Sequence, residues 1–141
     1  MRIELYMMML AGIAGGLVGT LWSGLVSAPL FARWPALRPA AWQPDTAARL
    51  LAGAVLYGLC GAAAGLLFWL SWGLVAVVST PWHVIGAIYG GLLFAAGALP
   101  TLGTLAIKAR HHRGAVAVLA AEGLVAAVSA GVMCAYVWER Q

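Results

Sequence analysis

Glu122, between Ala121 and Gly123, is the one carboxylate inside any long apolar block of this chain. A charged carboxylate at that depth is unfavourable by at least roughly 2.5–3.5 kcal/mol, so it wants a partner, a proton or a task. On a helix, residues seven apart share a face, which lines Ser129 and Tyr136 up with Glu122. Tyr57, Ser23 and Thr101 fall at a similar depth in the other apolar blocks. Pro100, beside Thr101, has no N–H, which releases a carbonyl near Ala96. That carbonyl and the Thr101 hydroxyl are natural partners for a protonated Glu122. His83 lies near the far end of the third block, too distant to touch Glu122. Together Glu122, Ser129, Tyr136, Thr101, Tyr57 and His83 describe a candidate intramembrane relay or polar site. Carboxylates and histidines in series are the parts of proton relays and ion-coupled carriers. The blander reading makes Glu122 a neutral carboxyl hydrogen-bonded between helices, and His83 a headgroup-facing neighbour of Trp82. A third reading pairs Glu122 with a cation on another subunit.

No other constellation carries chemistry. The sequence has no Ser/His/Asp pattern, paired carboxylates or phosphate-binding loop. Glu122 and His83 at different depths make a poor acid–base pair, so the reading leans away from an enzyme, and a lipid-modifying activity ranks last. His111 and His112 are adjacent, and neighbouring side chains diverge on most backbones, so no metal site is expected. Cys60 and Cys134 fall at different depths and read as small apolar residues rather than a disulfide. No cofactor is expected.

The elements that must position these residues follow from composition. The 141 residues are 64% hydrophobic and only 9% charged, against about 25% charged in an ordinary soluble domain. That is too little polar surface for a water-soluble globule. The sequence predicts one all-α membrane domain over residues 1–141, a bundle of four transmembrane helices joined as two hairpins, at about 5–31, 46–78, 81–105 and 114–138. Each exceeds the roughly 20 residues that cross a bilayer core. The first is read as a retained helix, because its apolar run is too long for a cleaved signal. Asp45 is a candidate N-cap for the second helix, and Thr80-Pro81 a cap followed by proline at the first turn of the third. Pro100 is expected to kink the third helix.

Small residues supply the packing code. Ala11, Gly15, Gly19, Ser23 and Ser27 form one four-residue stripe on the first helix, and Gly12, Gly16, Thr20, Gly24 and Ala28 a second beside it. Such stripes let backbones approach where no hydrophobic effect drives helices together. Gly12, Gly15, Gly16, Gly19, Ser23 and Ser27 are therefore the expected helix-packing interface, within the bundle or with a second copy or partner membrane subunit.

The net charge of +4 resides mainly in the connections, where it sets topology and meets the lipid bilayer. With no basic stripe interleaved with aromatics, nucleic acid is discounted. Arg33, Arg38 and Arg49 flank the first connection and Lys108, Arg110 and Arg113 the third, while the second has none. Positive-inside logic places loops 32–45 and 106–113 in the cytoplasm and both termini outside, with Trp42 and Trp72 among the interfacial aromatics. Alanine-, glycine- and arginine-rich composition suggests a bacterial inner membrane. The two halves share a layout of span, basic loop and span, compatible with a parallel duplication of poor residue identity. The functional expectation is a small proton- or cation-linked transport or channel-like protein using Glu122. Its alternative is a non-catalytic accessory or assembly subunit of a membrane complex.

Overall fold

Leucine on the outside and glycine and alanine on the inside is the arrangement this composition produces. In a computed structural model, which describes residues 5–38, 46–75, 80–108 and 113–140, Leu21, Leu25, Leu51, Leu59, Leu70, Leu92 and Ile107 stand exposed. Ala11, Ala64, Ala115, Ala126, Ala130 and Ala135 are buried. Lipid tails are as apolar as leucine, so burying leucine gains little there, and the close approach permitted by small residues decides which faces turn inward.

Among the described residues four long helices carry the chain: α1 (Leu5–Arg33), α2 (Ala47–Val75), α3 (Trp82–Lys108) and α4 (Arg113–Glu139). All four have stretches long and apolar enough to cross a membrane, and the fold is an all-α four-helix bundle. Trp42, Asp45, His111, His112 and the side chain of Trp72 lie outside the described residues.

Local hydrogen bonds set the helix boundaries. The Thr46 carbonyl accepts from the Arg49 and Leu50 amides, so α2 starts from Thr46. The Pro81 carbonyl likewise accepts from Val84 and Ile85. Pro81 is thus the extended residue that precedes α3 rather than its first helical residue. At its other end α1 continues to Arg33 because Arg38 folds back on it. The Arg38 guanidinium donates to the Phe31 carbonyl at 2.6 Å and the Ala32 carbonyl at 3.0 Å, satisfying acceptors a helix end leaves open.

Backbone contacts order the helices. Gly12 of α1 and Gly61 of α2 abut so closely that a Cβ on either would collide with the other's carbonyl. Gly86 of α3 and Gly131 of α4 meet in the same way. These two contacts close the two hairpins. The hairpins are then joined by α1 against α4, where a Cβ at Gly19 would lie 2.6 Å from the Ala126 methyl. The first part of both expected α1 stripes is therefore used inside the chain: Gly12 and Gly16 face α2, while Gly15 and Gly19 face α4; Gly24, further along the second stripe, has open space beside it. Between α2 and α3 the contact is made by side chains. The Tyr89 hydroxyl donates to the Ala64 carbonyl at 2.9 Å, and the Tyr89 ring meets Phe68 edge-on at 4.9 Å.

Two of the helices are interrupted by a π turn, Ser23–Ser27 in α1 and Phe94–Ala98 in α3. Each is followed by one residue whose amide reaches back a full π step, Ala28 to Ser23 and Leu99 to Phe94, and then by a proline, Pro29 or Pro100. Proline lacks the amide and its ring crowds the preceding turn; a wider turn relieves that crowding. The expected Pro100 disturbance thus takes the form of a π turn, and α1 carries its counterpart.

Candidate functional site

Glu122 is only 8% exposed, nine residues into the 27-residue α4. Its hydrogen-bond partner is Tyr57 of α2, whose hydroxyl donates to Oε1. Helix packing sets up this pair. Gly16 of α1 lies against the Tyr57 carbonyl, and Gly19 lies against the Tyr57 ring and the Ala126 methyl, one turn from Glu122. A side chain at position 19 would displace the ring that delivers the hydroxyl: a Cβ there would stand 2.9 Å from Tyr57 Cε1. On the α3 side, the Phe94 ring and Ala98 cover Gly123, with Phe94 Cε2 3.4 Å from where a Cβ would be.

Antiparallel register brings the first π turn alongside. Gly15 meets Ala130 and Gly19 meets Ala126. One further turn along both helices sets Ser23 level with Glu122. Phe94, next to Glu122 through Gly123, opens the second π turn. The buried carboxyl is therefore bracketed by both π turns. Such turns concentrate at functional sites.

Two hydroxyls complete the surroundings. Ser27, 2% exposed, closes the α1 π turn, and its Oγ has no hydrogen-bond partner among the described residues. Thr20 Oγ1 is also buried and unpartnered there. Both project from α1 between the Tyr57 level and the end of the bundle that carries the basic connections. Thr20 was legible only as a small residue in a packing stripe, and Ser27 likewise. The signal that separates them from packing residues is burial without a partner, which a sequence does not display.

The remaining candidate residues disperse. Thr101 does not reach Glu122; it is exposed, and its hydroxyl donates to the Gly97 carbonyl at 3.4 Å. Ser129 lies on α4 about 10 Å from Glu122 along the axis, with its carbonyl against Gly15. Tyr136 lies about 21 Å away. It belongs to an aromatic cluster at the end of the bundle where α1 begins and α4 ends, 5.2 Å from the Trp82 ring and under the Arg140 guanidinium at 4.5 Å. His83 is exposed in the same cluster, edge-on to Trp82 at 5.5 Å. The structure thus joins Glu122 to Tyr57 and leaves Thr101, Ser129, Tyr136 and His83 apart from that pair. No cluster of three or more potential metal ligands occurs among the described residues.

What the site can do follows from its parts. Tyr57 donates one hydrogen bond to one carboxyl oxygen. The other oxygen can hold a proton without breaking that bond. No family model matches the chain, and comparison with curated proteins and with solved structures finds no match, so the reading of this site stands on its geometry.

Proposed function

We propose that Glu122 is the protonation centre of a small proton-linked transport or channel-like membrane protein, with Tyr57 holding the carboxyl in place. The observation that carries this reading is the placement of a buried carboxyl, with one hydroxyl partner, between two π turns. The polar route favoured by this geometry runs from Glu122 toward Ser27 and the end bearing the basic connections. Ser129 and Tyr136 in the other direction are separated by about 10 Å steps along α4.

Reconstitution in liposomes with an internal pH-sensitive dye tests the proposal. Wild-type protein should dissipate an imposed pH gradient, and Glu122→Gln should not. Glutamine retains an acceptor for the Tyr57 hydroxyl, so the variant keeps the helix contact and loses only the titrating group. Equal flux through wild type and Glu122→Gln would end this reading.

A second reading, the accessory subunit, is favoured by the same hydrogen bond taken as a permanent brace between α2 and α4. In that case neither protein moves protons, and Tyr57→Phe lowers stability without any transport phenotype. Gly12, Gly15, Gly16 and Gly19 of the α1 stripes lend this reading no support, because α2 and α4 already lie against them.

A further inference from the structure

The last ten residues of α3, Leu99–Lys108, contain no buried side chain. A shallow, open groove of about 520 Å³ runs along them, lined by Pro100, Thr101, Thr104, Leu105 and Lys108. Its chemistry is graded with depth. Lys108 stands at the end of the helix. Thr104 comes a turn deeper, with Leu105 beside it, and Thr101 and Pro100 lie deeper still. Thr104 donates to the Pro100 carbonyl at 2.8 Å. Thr101 donates to the Gly97 carbonyl at 3.4 Å, a long and weak bond that is readily redirected to another acceptor.

We propose that this groove binds one phospholipid with an anionic headgroup. The ammonium of Lys108 meets the phosphate, the Thr101 hydroxyl turns from the Gly97 carbonyl to an ester oxygen of the glycerol region, and the acyl chain lies along Leu105 and Pro100. Charge complementarity at the mouth selects the occupant: Lys108 at the end of α3, above hydroxyls and an apolar wall, matches the polarity profile of a diacyl lipid with an anionic headgroup. With α3 crossing the bilayer, this outer face of the helix meets lipid, and an anionic headgroup adds attraction that a zwitterionic one lacks. This assignment does not depend on Glu122 transporting anything.

The test is native mass spectrometry of the full-length protein in detergent, titrated with dioleoylphosphatidylglycerol or dioleoylphosphatidylcholine. Wild type should retain the anionic lipid about fivefold more than the zwitterionic one, the effect of one cation near the membrane surface. Lys108→Gln should abolish that preference, while Arg33→Gln, an exposed cation at the same end of the bundle, should leave it intact. Thr101→Trp, which fills the groove and keeps Lys108, should lose the retained lipid. Absence of a preference in wild type, an equal loss in Lys108→Gln and Arg33→Gln, or unchanged retention in Thr101→Trp would overturn the proposal. So would a wild-type dimer that Thr101→Trp dissociates without any lipid preference, which would give the groove to a second copy.

Discussion

At the scale of single residues, the Tyr57–Glu122 pair separates two properties that are usually entangled, helix bracing and proton binding. Removing the tyrosine hydroxyl leaves a buried carboxyl oxygen without its donor, a loss of about 1–3 kcal/mol. Tyr57→Phe should therefore lower the melting temperature in detergent micelles. Glu122→Gln should leave it nearly unchanged, because the amide oxygen still accepts. Glu122→Leu strands the tyrosine hydroxyl instead, and combining it with Tyr57→Phe should give less than the summed loss. Thermal unfolding of the four proteins by circular dichroism checks this; strict additivity would mean that the two side chains do not interact. The carboxyl itself was conspicuous in the sequence, because acids in apolar blocks are rare. Its partner was one of several hydroxyls at the right depth. Helical phase and depth narrow such a choice, but the rotation of α2 against α4 decides it, and that depends on which glycines touch.

At the scale of the elements, glycine does two different things in this bundle. Gly12 lies against the Gly61 carbonyl, with no room for a methyl group. Gly24, in the α1 π turn, has open space where a Cβ would be. Gly12→Ala should therefore destabilise by roughly 1–3 kcal/mol through overpacking, and Gly24→Ala should be neutral or slightly stabilising. Melting temperatures of the two single variants measure the contrast, and equal shifts would contradict the backbone contact at Gly12. In the sequence the two residues are equivalent, since both belong to the same four-residue stripe. The existence of four spans was legible from apolar run length alone, because lipid forces every backbone polar group into helical hydrogen bonds. The π turns were not. Pro100 announced a disturbance and Pro29 could have announced a second, but a proline specifies where the ladder breaks rather than how the helix accommodates the break.

At the scale of the whole molecule, the two hairpins are built with the same devices but not by the same residues. Each is closed by a glycine-on-glycine contact, and each first helix is interrupted by a π turn followed, one residue on, by a proline. The interval from the contact to the turn differs, however: Gly12 to Ser23 in α1 exceeds Gly86 to Phe94 in α3 by about one helical turn. The shared layout seen in the sequence is thus matched by shared architecture without a residue-for-residue register. What unites the halves is the α1–α4 seam of Gly15, Gly19, Ala126 and Ala130, supported by the Tyr57–Glu122 bond and the Tyr89–Ala64 bond. This division has a consequence for assembly. If the chain is cut between the hairpins, after Val78, each fragment keeps its own glycine contact and the seam remains complementary. The two co-expressed fragments should copurify through a tag on either one. Gly15→Leu should abolish that copurification, because position 15 lies against the Ala130 backbone and a leucine there would force the hairpins apart. Gly12→Leu opens the first hairpin instead and should reduce recovery of the N-terminal fragment itself. If Gly15→Leu fragments still copurified at wild-type yield, the α1–α4 seam would not be what holds the halves together, and the bracketed position of Glu122 would lose its structural basis.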